Sequence, residues 1–357
     1  MSKLIKRILI AVGIFVLLGI AGVGSAYYYL NSSDMPYVID FINTNPDKVS
    51  FVIQENGEEV ISRSAEKPMP LASVFKIMVV IELARQVDGG RVDLNEEVPI
   101  EALNKYVLVD RENDNHDIWV ESMDEDLTLE DIARGMITHS SNPNTDYLID
   151  RLGLENINRT IKKMTKNHSE IYPIGPSELM YHYLTIKNDN AGKDEITHLI
   201  EKLSYEDYKS EVVDIDTLMK EGSYYPIDDY APSYDEQKTL IQFIPTSTAN
   251  EYIQLLSQLN SDEWSKQKEI LFQLLSKNAT GTPFDYVGGK NGETLNIINE
   301  AVFARDKEGN SKEIIFFAKD LTLSERMKLE KNIDEFIQKL LNDELELEYR
   351  PGSVING

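Results

Sequence analysis

The chain contains no cysteine. That excludes disulfides, a thiolate nucleophile, a cysteine-ligated metal and a lipid-bearing cysteine. Histidine is also scarce, with five residues in 357. His116, His139, His168, His182 and His198 show no metal-ligand spacing such as His-x-x-x-His, so they read as solvated or structural side chains. No metal and no other cofactor is expected. Basic residues are outnumbered, 36 Lys and Arg against 61 Asp and Glu, for a formal net charge of −25. Such a surface repels nucleic-acid phosphates and anionic lipid headgroups, so neither nucleic acid nor electrostatic adsorption to a membrane is expected. There is no internal repeat, and nothing in the sequence reports an oligomeric state.

The long hydrophobic run lies at the start. Residues 8 to 30 carry no charge and exceed the length of about 20 apolar residues needed to cross a bilayer. Lys3, Lys6 and Arg7 precede the run, and Tyr27, Tyr28 and Tyr29 stand where an interfacial aromatic belt would lie. The expectation is a single-pass anchor over 1–30 with a cytoplasmic N-terminus and everything after it extracytoplasmic. Gly24-Ser25-Ala26 resembles a signal-peptide cleavage site, the rival reading, which would make the protein secreted. Residues 31–48 read as a tether, 49–342 as one large domain, and 343–357 as a loosely ordered tail.

Within that domain, Pro70 to Ile81 dominates. Between Leu71 and Ile81 only Ser73 and Lys76 are polar, and the run continues through Val87 to a stop at Gly89-Gly90. A helix apolar nearly all round belongs inside a domain. A lysine buried there must find partners or lose its proton. Ser73 and Lys76, three residues apart, share one helix face, and Ser73 stands near a helix N-terminus, where developing negative charge is favoured. A serine beside a desolvated amine is an activated nucleophile. The plainer alternative is that Ser73 caps the helix and Lys76 snorkels outward.

The remaining chain supplies a hairpin around Asn56-Gly57, with strands Val49–Gln54 and Glu59–Arg63. It continues with an exposed acidic loop from Asn104 to Asp126 whose apolar tip is Ile118-Trp119-Val120, and a capped helix, Leu129–Ile137, that breaks at Thr138–Asn144. A stretch from about 154 to 240, rich in Tyr, Lys, Glu and Asp, follows; it reads as irregular, with helical pieces at Ser177–Ile186 and Asp194–Leu203. Strand-like Asn296–Arg305 and Glu313–Ala318 and a closing amphipathic helix, Ser324–Leu341, end the domain. Terminal strands with helices between them predict an α+β architecture: one antiparallel sheet built from N- and C-terminal strands, covered by helices, with a mostly helical second lobe.

Three polar sites occur in order: Ser73-x-x-Lys76, then Ser140-Ser141-Asn142 in a helix break, then Lys290-Asn291-Gly292. Their order and spacing resemble the motifs of the penicillin-recognising serine hydrolases, above all the class A β-lactamase-like branch. The resemblance runs from about residue 50 to 340, with a gap in the middle. It implies the β-lactamase/transpeptidase fold and a β-lactam or peptidoglycan-like acyl-D-amino acid as substrate. It also implies roles. Ser73 would attack the carbonyl, Lys76 would take its proton, and Ser140 would pass a proton to the leaving nitrogen. Asn142 would bind Lys76 or the substrate amide, Lys290 would attract a carboxylate, and Gly292 would let the substrate lie against the strand. The backbone N–H groups of Ser73 and Glu293 would form the oxyanion hole.

The sequence departs from that pattern at three places. Asn291 replaces the usual hydroxyl residue, and Glu293 puts an acid beside the carboxylate pocket. The deacylating Glu-x-x-Leu-Asn loop has no clear match, its place being taken by an insertion at about 172–240. Glu178 is the nearest candidate, with a first-turn helix acid as its other reading. The sequence therefore supports acylation of Ser73 more directly than hydrolytic turnover, and leaves a D,D-peptidase and a non-hydrolytic binding or sensing module as alternatives.

Overall fold

The computed structural model describes residues 34–107, 115–123, 126–223, 233–259 and 265–345, together with 32 and 347. The expected anchor over residues 8 to 30 lies outside the described residues. Among those described, no helix is long and apolar enough to cross a membrane.

Asn56 and Gly57 both take positive φ, 51° and 82°, as a two-residue hairpin with matching twist requires. They join β1 (Val49–Glu55) to β2 (Glu58–Arg63). The C-terminal strands β7 (Ser276–Lys277), β8 (Tyr286–Thr294), β9 (Ile297–Arg305) and β10 (Ser311–Ala318) form a meander. β10 closes onto β1 antiparallel, Val49 opposite Ala318. The six-stranded sheet therefore runs β2-β1-β10-β9-β8-β7 and unites the two ends of the domain, as the α+β reading expected.

Side chains alternate across the sheet with a period of two. On one face Phe51, Ile53, Val302, Ile314 and Phe316 pack under two helices, Met35–Thr44 and Leu323–Leu341. On the other, Val52, Phe303, Ile315 and Phe317 meet the helical body around Lys76–Asp88. The first helix corrects the tether assigned to 31–48. Val38, Phe41 and Ile42 recur at helical spacing and are buried on the sheet, so the packed domain begins before β1.

The central stretch differs in detail from a single helix. Ala72–Phe75 is a 3-10 helix, and the α-helix begins at Lys76 and ends at Asp88. Eleven of its thirteen residues are buried, Glu82 among them. Burial pushes the Glu82 carboxyl up, but hydrogen bonds from Arg85, Thr160 and Gln86 outweigh it and hold it below its ordinary value. That network anchors the helix against its neighbour Leu154–Met164.

Two further expectations are corrected. The tip at Ile118-Trp119-Val120 sits on a helix, Asn115–Glu121, with Ile118 exposed but Trp119 only 1% exposed. Gly135 leaves the room that the Trp119 indole fills. The stretch from 154 to 240 is more helical than expected: Met180–Lys187 and Lys193–Ile200 match the two helical pieces read from the sequence, and Leu154–Met164, Ile174–Glu178, Tyr205–Lys220 and Tyr234–Leu240 add to them. The insertion has its own core of Tyr172, Leu179, Met180, Leu184, Ile196, Tyr208, Val212 and Phe243. Tyrosine contributes so much of it that an acidic, Tyr-rich composition conceals a buried face.

Candidate active site

The turn bearing Ser73 is pinned from three directions. Strand β3 (Pro68–Pro70) pairs with β6 (Thr246–Thr248). The Leu71 N–H donates to the Pro245 carbonyl at 2.8 Å, and the Asn299 amide donates to the Pro70 carbonyl at 2.8 Å. Ala72 then takes φ 44°, a left-handed conformation that costs a non-glycine residue about 1 kcal/mol or more. The surrounding contacts hold that conformation and leave Ser73 half-buried on a cavity wall.

The role assigned to Gly292 changes. A Cβ there would lie 2.6 Å from the Leu71 carbonyl oxygen and 2.9 Å from the backbone nitrogens of Ser73 and Val74. The protein's own nucleophile turn, not a substrate, occupies the space that the glycine leaves. This close approach brings strand residue Glu293 and the Ser73 N–H to the same edge of the site.

Lys76 is fully buried. Its Nζ donates to the Ser140 carbonyl at 2.6 Å, the Asn142 Oδ1 at 3.0 Å and the Ser140 Oγ at 3.4 Å. All three acceptors come from the helix break. Ser141 caps the next helix, Asn142–Leu152, by accepting the Asn144 N–H. Ser140, at φ 58°, presents both its oxygens to the lysine. Burial holds the Lys76 ammonium well below its ordinary pKa, the charge of Lys290 lowers it further, and Asp146 and Glu178 oppose the shift.

Lys290 lies on β8 opposite Ala301 and is 1% exposed. Burial first, then Lys277, lowers its pKa to about 7, against the opposing carboxylates of Glu300 and Glu293. Its Nζ donates to the Asn291 carbonyl and to the Asn291 Oδ1, each at 2.9 Å. The asparagine at the unusual position thus serves as a resting acceptor for the lysine. Glu293 is turned outward: its Oε2 lies 3.4 Å from the Arg326 guanidinium, which compensates its charge.

Glu178 is not a first-turn acid. It ends the helix Ile174–Glu178, lines the cavity with Ser73, and accepts from the Asn142 amide at 3.2 Å. Its loop is tied down by residues that motif reading passed over. Both carboxylate oxygens of Asp146 accept backbone N–H groups, from Ile174 and Gly175, at 2.7 Å each. Asn158 exchanges two hydrogen bonds with the Ile171 backbone, and the Tyr208 hydroxyl donates to the Ser177 carbonyl at 3.2 Å. Asp146 was findable: it stands one helical turn after Asn142, facing the same side. Burial raises its pKa to about 7 despite the two donors. Among the described residues no group of His, Cys, Asp and Glu is arranged to hold a metal ion. His116 bonds the Ser141 hydroxyl at 2.9 Å, and buried His168 bonds Tyr252.

The sequence profile of the beta-lactamase enzyme family matches residues 36–320. No curated protein sequence matches the chain. Among solved structures, a class A beta-lactamase from Bacteroides cellulosilyticus superposes with TM-score 0.53 at 17% identity, covering 88% of this chain and 100% of that one. A beta-lactamase from Chitinophaga pinensis gives 0.53 at 14% identity, with 85% and 98% covered. A mutant of PBP-A in acyl-enzyme complex with penicillin G gives 0.52 at 12% identity, with 87% and 98% covered. At these identities the likeness is one of fold.

Proposed function

The chain belongs to the beta-lactamase enzyme family, and from that premise we propose that it is a serine hydrolase whose Ser73 is acylated by a β-lactam or a peptidoglycan-like amide. The observation that carries this reading is Lys76, a wholly buried lysine ringed by Ser140 and Asn142 oxygens, with a lowered pKa that enlarges its neutral fraction. A neutral amine there is a base, directly or through the Ser140 hydroxyl.

Ser73 Oγ bonds to the carbonyl carbon while its proton passes to Lys76. The oxyanion so formed faces the backbone N–H groups of Ser73 and Glu293. As the carbonyl re-forms, the C–N bond breaks, and the leaving nitrogen receives the proton from Lys76 by way of Ser140. Lys290 draws the substrate carboxylate and leaves Asn291 to do so. The product is an ester on Ser73. For its hydrolysis, Glu178 stands across Asn142 from Lys76 and on the cavity wall with Ser73, placed to take a proton from an attacking water. That position favours turnover over the binding-module alternative.

Intact-protein mass spectrometry after exposure to a penicillin tests the reading. A transient adduct, absent from Ser73→Ala, is the expected result. A lasting adduct supports the D,D-peptidase, and no adduct with any β-lactam or acyl-D-Ala-D-Ala peptide refutes acyl transfer. We further propose that residues 8 to 30 anchor the domain outside the cytoplasmic membrane; a mature N-terminus at Tyr27 would show a cleaved signal instead.

A further inference from the structure

Ser140 holds φ at 58°, a left-handed conformation that a non-glycine residue keeps only when its surroundings impose it. The carbonyl and hydroxyl of Ser140 are two of the three oxygens offered to Lys76 Nζ, and the third, Asn142 Oδ1, stands just beyond Ser141. Ser141 is the residue through which this break is fixed. Its N–H donates to the Gly135 carbonyl at 3.3 Å, its carbonyl accepts the Thr145 hydroxyl at 2.7 Å, and its Oγ accepts the Asn144 N–H at 3.2 Å.

Ser141 is also a fourth departure from the family motifs, which place an aspartate between the serine and the asparagine. An ionised carboxylate at a helix N-cap only accepts, whereas a hydroxyl carries a proton that needs an acceptor of its own. Among the described residues, the other polar atom on the Ser141 Oγ is His116 Nδ1, at 2.9 Å. With the Asn144 N–H already on the oxygen, the hydroxyl proton points to Nδ1, and the imidazole is neutral with its own proton on Nε2. The buried His116 ring packs on Trp119 at 5.6 Å and 36°, one turn along the same helix. The Trp119 indole in turn fills the notch at Gly135, the residue whose carbonyl binds the Ser141 N–H. The helix Asn115–Glu121 thus meets the break at two points.

We propose that His116 is a positioning residue for acylation: by accepting the Ser141 hydroxyl proton it keeps the break in the shape that presents Ser140 and Asn142 to Lys76. The rate effect rests on the acyl-transfer reading, but the hydrogen bond and its hold on Lys76 exist without a reaction.

His116→Leu removes the acceptor with little loss of volume, and His116→Asn returns an amide oxygen close to the place of Nδ1. With a penicillin, His116→Leu should lower the first-order acylation rate constant about tenfold or more, while the dissociation constant of the preceding complex changes less than about twofold. His116→Asn should recover most of the loss, and Ser141→Ala combined with His116→Leu should be no slower than Ser141→Ala alone. The proposal is overturned if the folded fraction of His116→Leu acylates at the wild-type rate, if His116→Asn recovers nothing, or if the two losses add.

Two NMR measurements need no reaction. In wild type at mildly alkaline pH, the nitrogen-15 shifts of His116 should show an unprotonated Nδ1 and a protonated Nε2; a protonated Nδ1 overturns the proposal. His116→Leu should displace the Lys76 Cε resonance and His116→Asn should return it; an unmoved resonance also overturns it. A displaced resonance, with no acylation of wild type by any penicillin, refutes acyl transfer and keeps the hold of His116 on Lys76.

Discussion

Replacing Asp146 by asparagine separates the charge of that residue from its hydrogen bonds. Its carboxyl is raised from an ordinary 3.8 to about 7 because burial penalises the anion, even with the Ile174 and Gly175 N–H groups pointing at it. A group whose folded pKa lies above its unfolded value gives full stability below pH 3.8. It loses that stability as pH rises through about 7, where the folded state must finally ionise. The gap corresponds to about 4 kcal/mol, of which roughly 2 to 3 kcal/mol is lost between pH 5 and pH 8. The amide keeps one acceptor oxygen and cannot ionise, so Asp146→Asn pays about 1 to 3 kcal/mol at every pH for a mismatched N–H and none of the slope. The variant should be less stable than wild type at pH 5 and should gain on it by roughly 2 to 3 kcal/mol at pH 8. Urea unfolding of both proteins at the two pH values measures this. A stability difference flat with pH, or one that moves against the variant as pH rises, refutes the buried-anion argument.

Ser73→Ala should abolish the acyl adduct while shifting stability by no more than about 1 kcal/mol, since the hydroxyl is at most a weak cap; a large drop in melting temperature would mark Ser73 as structural. Gly292→Ala drives a Cβ into the Leu71–Val74 backbone and should cost about 1 to 3 kcal/mol together with most of the acylation rate; a fully active, stable variant would show that strand and turn can part without harm. Glu178→Gln should leave acylation nearly intact and lengthen adduct lifetime by about a hundredfold or more, read by mass spectrometry over time; unchanged lifetime removes Glu178 from deacylation. Acylation should weaken as pH falls and Lys76 takes up a proton. Lys290→Met removes the like charge that helps lower the Lys76 pKa, so this acid limb should move to higher pH; a limb that stays or moves down denies the coupling.

The sheet was legible because its signals are local: Asn56-Gly57 makes a turn wherever flanking strands alternate, and β9 and β10 are apolar runs between turn residues. Ser73, Lys76 and the break at Ser140 were legible because a lysine inside an apolar helix and a helix stop at Ser140-Ser141-Asn142 are each unusual in sequence. What escaped depends on contacts distant along the chain. The helix Met35–Thr44 is too short to be distinguished from a tether until the sheet face that receives Val38 and Phe41 exists. The burial of Trp119 depends on the notch at Gly135. Glu178 acquires its place only when Asp146 and Tyr208 hold its loop. Gly292 looked like room for a ligand, yet the space belongs to a backbone more than two hundred residues earlier.

The pairing of β1 with β10 also dictates when the protein can become itself. Val49 finds Ala318, and Asn299 bridges the Pro70 carbonyl and the Ala318 N–H, so the turn carrying Ser73 is held by strands made last. Contacts of such high sequence separation form slowly, because chain closure must precede any reward from pairing. A growing chain that has emerged only through the insertion has the lysine with its Ser140 and Asn142 partners, but not the strands that hold the Ser73 turn. Truncation anywhere before β10 should therefore yield no partial enzyme, because the turn that carries the nucleophile then lacks the strands that hold it.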